Sequence, residues 1–181
     1  MRKGLQKFLV TGVAALACLT VVSTAAQAAL SATINVTVTI QNLSVAATGP
    51  IAFGVVTATS QTVSTVASTV TNDGNVTETY SLNLTDPAGW ASVTAAPGAD
   101  EYALLATFNS AQPAVGDFNF ADHALTPLPV SCSATQFAGD QTGLSLAAGT
   151  ITNLWLRFDA PTSTTVTTQQ TIILTITAAA G

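Results

Sequence analysis

Lysine and arginine are nearly missing from this sequence: there are four in 181 residues, and three of them are Arg2, Lys3 and Lys7. From Ala29 onward Arg157 is the only basic side chain and there is no lysine. All nine acidic residues lie in that same part, which gives it a formal charge of −8 with histidine neutral and the termini ignored. Nucleic-acid binding requires cationic side chains that neutralise phosphates, and a single arginine excludes it. Polybasic attraction to anionic lipid is excluded on the same ground. Cysteine is scarce too, with Cys18 near the start and Cys132 alone thereafter. No intrachain disulfide can form once the first residues are removed, so Cys132 reads as a small buried hydrophobe, with an intermolecular disulfide as the lesser alternative.

Catalytic residue types are equally thin. There is one histidine, His123, and its neighbour Asp122 cannot orient it on a strand, where adjacent side chains point to opposite faces. The run Gly143-Leu144-Ser145-Leu146-Ala147 lacks the last glycine of a nucleophile elbow. A zinc site needs clustered His and Cys, which one of each cannot supply. No pair of carboxylates is singled out by context for glycoside hydrolysis. The sequence therefore reads as non-enzymatic, with no catalytic, cofactor or metal residues assigned. Calcium is the one cofactor worth weighing, because Asn72, Asp73, Gly74, Asn75 and Glu78 gather oxygen atoms and Asp100-Glu101 pair two carboxylates. Neither cluster matches a calcium loop, and Ca²⁺ takes about six to eight oxygens, so a plain turn and a solvated acidic loop are the favoured readings.

What the sequence does contain begins with an export signal. Arg2, Lys3 and Lys7 form a basic start, residues 8–22 are apolar and uncharged, and Ala26-Gln27-Ala28 supplies an A-x-A cleavage site. The apolar stretch is shorter than the roughly 20 residues that a membrane span needs. Residues 1–28 are expected to be a signal peptide and 29–181 a single secreted domain, extracellular or at the cell surface, with no membrane insertion after cleavage.

Beyond the leader the apolar period is two almost everywhere. Ile34, Val36, Val38 and Ile40 alternate with Thr33, Asn35, Thr37 and Thr39, which predicts a strand over 31–41 with one apolar face. The phase flips near Asn42, and Ile51, Phe53 and Val55 make a short run with Gly54 as a close-approach or bulge position. Residues 63–71 predict a strand leading into Asn72, Asp73, Gly74 and Asn75. Because both residues of an Asp-Gly pair tolerate positive φ, these four are expected to turn a β-hairpin. Tyr80, Leu82 and Leu84 share one face of the next strand, and Asp86-Pro87-Ala88-Gly89 makes a turn before a short strand near Trp90. Tyr102, Leu104, Ala106 and Phe108 alternate, as do Leu154, Leu156 and Phe158, with Trp155 and Arg157 on the opposite face. Residues 109–143 are irregular. Ile172, Leu174 and Ile176 face one way on the last strand. Many short strands, turn residues between them and no helical stripe beyond the leader predict an all-β fold, a single Ig-like β-sandwich.

Two stretches resemble known families. Ser31-Ala32-Thr33-Ile34-Asn35-Val36-Thr37-Val38-Thr39-Ile40, with Ile51-Ala52-Phe53-Gly54, resembles the start of spore-coat-U and chaperone–usher pilin domains. Leu43 and Asn72 stand where those domains carry their disulfide cysteines. Val70-Thr71-Asn72-Asp73-Gly74-Asn75 through Trp90, and then Gly149 to Ala178 with its closing Ile172, Leu174 and Ile176, are similar to Ig-like surface domains of the NEW3 kind and to TasA-like fibre proteins. The resemblances imply an Ig-like sandwich and, for pilins and TasA-like proteins, assembly by strand donation.

The expected function is a structural subunit of an extracellular filament, pilus-like fibre or sheath, whose partners are copies of itself. Ile34, Val36, Val38 and Ile40 are the donor-strand candidates; the equal alternative is that this N-terminal strand pairs within its own domain. Sheet edges in monomeric β-proteins are commonly protected by lysine and other charges, and only 7% of this chain is charged. The competing expectation is a non-catalytic adhesion or carbohydrate-binding module, in which Trp155 would form an exposed aromatic contact.

Overall fold

Tyr80, Leu82 and Leu84 are completely buried, and so are Tyr102, Ala106, Phe108 and Leu154. These are the alternating positions of the strands predicted from the period of two. The computed structural model describes residues 31 and 33–181, so the leader at 1–28 lies outside the described residues. Thr39–Gly181 form one compact unit, and the described residues before Thr39 belong to a separate N-terminal unit.

The fold is all-β with two sheets. In chain order the strands are β1 (Val45–Ala47), β2 (Gln61–Val63), β3 (Ser68–Asn72), β4 (Glu78–Thr85), β5 (Ala91–Ser92) and β6 (Glu101–Phe108). A 3-10 turn (Val115–Asp117) and a single helical turn α1 (Phe120–His123) follow, then β7 (Val130–Ser131), β8 (Ile151–Asp159) and β9 (Ile173–Ala180). One sheet has the order β1-β3-β8-β6-β5, with β2 also pairing β8, and the other the order β7-β4-β9. Every pairing is antiparallel except β5 with β6.

The strand expected over 63–71 is split in two. Ser64, buried at the break, donates its backbone N–H to Leu156 O, and its Oγ accepts the Leu156 N–H at 3.2 Å. β2 and β3 thus run successively along the same side of β8. The run at 51–55 forms no strand; Ile51 and Phe53 pack against the core, and Gly54 takes φ +68. Between the sheets lie Val70, Tyr80, Leu82, Leu84, Tyr102, Leu104, Phe108, Leu154, Leu156 and Phe158. β6 and β8 are buried on both faces, because a second cluster (Ala103, Leu105, Phe118 and Trp155) covers their other side.

Candidate functional site

The alternating segment at 33–41 forms no strand, which corrects the expected strand over 31–41; the first ladder starts at Val45. Period two fixes which side chains share a face, but a strand also needs a neighbouring backbone to pair with. None of the described residues supplies it. Ile34, Val36, Val38 and Ile40 are 84%, 81%, 81% and 78% exposed. Four apolar side chains at alternate positions therefore stand in solvent on a segment without charge.

Where this segment leads into β1 it is held by residues 72–78. Asn75 donates from Nδ2 to Ile40 O at 2.8 Å, and its Oδ1 accepts the Asn42 N–H at 2.8 Å. Its own N–H donates to Asn42 O. Glu78, fully buried, accepts the Ser44 N–H at 2.7 Å through Oε1. A side chain at Gly74 would run into Glu78 Oε1 and Asn42 O, so glycine is required there for close approach.

The expected hairpin at Asn72, Asp73, Gly74 and Asn75 is absent. β3 pairs with β1 and β8, β4 pairs with β7 and β9, and the turn carries the chain from one sheet to the other. Neither Asp73 nor Gly74 takes the positive φ of a two-residue hairpin. The buried Asn72 side chain shapes the turn instead, accepting from Gly74 N and donating to Val76 O and Leu146 O. Asn72 Oδ1, Asn75 Oδ1 and Glu78 Oε1 each accept a backbone N–H, while Glu78 Oε2 is buried without a hydrogen-bond partner among the described residues. Among the described residues no group of three or more His, Cys, Asp or Glu is placed to hold a metal ion.

β9 has an open edge. It pairs with β4 in the register Thr79↔Ala179, Ser81↔Thr177 and Asn83↔Thr175. Gly181 N donates to Thr77 O, so the odd-numbered residues of β9 face β4 with their backbone groups. The even-numbered Leu174, Ile176 and Ala178 direct theirs away from β4, and among the described residues nothing pairs with them. Their side chains point to the core yet are only partly covered.

Trp155 does not serve as a surface contact. It is 9% exposed, packs in the second core cluster and donates its indole N–H to Asn109 O at 2.8 Å. Residues 115–123 fold over that face of β8 and remove it from solvent. Tyr80 and Tyr102 are also buried. Sequence reasoning missed Arg157. Its guanidinium is buried, grips Asp159 through two hydrogen bonds of 2.8 and 2.9 Å, and donates to Val115 O and Phe118 O at 2.9 Å. It also stands 5.7 and 5.5 Å from the ring centroids of Phe118 and Phe120. The spacing of two on one strand face was the available signal; the carbonyls that complete the site come from an irregular segment.

His123 is buried against Phe118, and desolvation lowers its pKa. Cys132 is a buried free thiol, as its reading as a small hydrophobe implies, and burial pushes its pKa up to about 12. Its folded pKa lies above the ordinary value of 9.0, so its stabilising contribution is complete below that value and is lost as pH rises toward about 12. Burial and the nearby Glu78 and Cys132 push Tyr80 up to about 12 as well, from 10.0. In the protein beginning at Ala29, a thiol reagent at about pH 8 is expected to leave folded Cys132 unlabelled and to label it fully in denaturant. The loss of stability that begins near pH 9 is expected to shrink in Cys132→Ala, and rapid labelling of native protein would contradict the buried placement.

The fold and these exposed features define a two-sheet β-protein with an unpaired alternating segment and an open strand edge. Comparisons with protein-family models, curated proteins and solved structures gave no match.

Proposed function

We propose that the chain is exported, cut after Ala28, and acts as a non-catalytic structural subunit of an extracellular filament, pilus-like fibre or sheath built from copies of itself by strand donation. The observation that carries this reading is the exposure of Ile34, Val36, Val38 and Ile40 on a segment with no ladder of its own. Isolated exposed apolar side chains are ordinary, whereas four in one short segment, at alternate positions that would share a face in a strand, fit an interaction surface. Burying these four would contribute about 6–12 kcal/mol before ordering costs. Each ladder hydrogen bond would add about 0.5–1.5 kcal/mol net. The adhesion or carbohydrate-binding alternative loses its main support with the burial of Trp155.

Electron microscopy of the protein beginning at Ala29 tests the proposal. Uniform fibres are the expected result, and a persistent monomer at high concentration would overturn it. The Val36→Asp/Val38→Asp double variant is expected to remain monomeric. Its thermal midpoint should match the parent's, because substitutions at solvent-exposed positions typically stay within about 0.5 kcal/mol.

A further inference from the structure

We propose that the open edge of β9 is the acceptor, taking residues 33–40 of a second copy as an added strand; this rests on the strand-donation reading above. The strand lengths narrow the choice. At the ends of the two sheets stand β1 with three residues, β5 with two, β7 with two and β9 with eight. Among the described residues, β9 is thus the only long edge. The donor segment, eight residues from Thr33 to Ile40, has its length.

Chemistry matches as well as length. Neither segment contains Lys, Arg, Asp, Glu or Pro, the residues that ordinarily keep an edge from pairing. On β9 the same residues, Leu174, Ile176 and Ala178, both turn their backbone groups to the open side and leave their inward side chains half covered. A strand laid on that edge completes the ladder and brings its own inward face over the uncovered apolar surface. Ile34, Val36, Val38 and Ile40 supply that face. Thr33, Asn35, Thr37 and Thr39 then lie on the solvent side, the same side as Thr175 and Thr177, where β-branched side chains of adjacent strands pair favourably. Because strand addition draws affinity from main-chain hydrogen bonds and selectivity from alternate side chains, both requirements are met by one edge and one segment.

Mixing two variants separates acceptor from donor. Ala178→Pro removes an N–H on the open side, one that β9 does not use in pairing with β4. If circular dichroism shows that this variant does not fold, Ala178→Asp, an inward charge at the edge, replaces it. Val36→Asp/Val38→Asp disables the donor. Each is expected to be monomeric alone by light scattering, and an equal mixture is expected to give a one-to-one dimer that grows no further, since one member cannot accept and the other cannot donate. If Ala178→Pro and Ala178→Asp polymerise like the parent while the donor variant stays monomeric, the β9 assignment is overturned and strand donation survives. If the donor variant still associates, donation itself fails; loss of that association on adding Ala178→Pro would identify pairing of two β9 edges instead. Monomers in the mixture, from folded variants of a polymerising parent, would also overturn the β9 assignment.

Discussion

Asp159→Ala is expected to destabilise the protein by about 3–5 kcal/mol, read as a fall in the urea midpoint without loss of secondary structure in the residual folded state. The reason lies in what the substitution leaves behind. Arg157 remains buried beside Phe118 and Phe120 with its charge uncompensated, because among the described residues no other carboxylate bonds to it. Gln61 also loses the Asp159 Oδ2 acceptor at 2.9 Å. At about 2–4 °C per kcal/mol for a domain of this size, the thermal midpoint should drop by roughly 6–20 °C.

The double variant Arg157→Met/Asp159→Leu separates the cost of an orphaned charge from the worth of the pair. Exchanging a buried ion pair for apolar residues of similar volume is often neutral or stabilising. Here the carbonyls of Val115 and Phe118 lose a donor, so the double variant should recover much of the loss but fall short of the parent. A cost below about 1 kcal/mol for Asp159→Ala would show that the guanidinium reaches water and would undo this account.

The same pair marks the limit of what the residues reveal in order. Alternation made the inward faces of β4, β6, β8 and β9 readable, because Tyr80, Leu82 and Leu84, or Leu154, Leu156 and Phe158, must share a side at period two. It did not reveal that β6 and β8 are covered on both faces. That cover comes from residues 115–123, which have no period and gain their place through long-range bonds to Arg157 and through Phe118. The burial of Trp155 has the same cause: its face opposite Leu154 and Leu156 reads as outward only until a loop lies on it.

Partnership is a second kind of information that periodicity lacks. Ile34, Val36, Val38 and Ile40 specify an apolar face, and their pattern would be identical whether the strand paired within the domain, with another copy or not at all. The Asp73-Gly74 pair likewise signals a reversal without saying whether the flanking strands stay in one sheet. The choice there was made by Asn72, whose polar side chain is satisfied by backbone from Val76 and from the distant Leu146. The open edge of β9 left only an indirect trace, the absence of lysine.

Asn72→Leu should therefore be costly although the two side chains branch alike and have the same number of heavy atoms. The side chain is wholly buried and makes three hydrogen bonds, at 2.9, 2.9 and 3.0 Å. Leu146 O keeps a partner in Glu78 N, but Val76 O and Gly74 N lose theirs. Two buried or half-buried backbone groups without partners amount to about 2–4 kcal/mol, at about 1–3 kcal/mol for each buried group and less for one within reach of water. The effect should also spread in a defined direction. Gly74, Asn75 and Glu78 form the clamp on residues 40–44, so a loosened turn weakens the bonds to Ile40 O, Asn42 and Ser44 N. Amide exchange at Asn42 and Ser44 should accelerate well beyond the change in global stability, while the amides at the β6–β8 pairing follow global unfolding. Equal acceleration at both places would mean that the turn is not a separate clamp. Selective release would show that the residue linking the two sheets also sets how the exposed apolar segment leaves them.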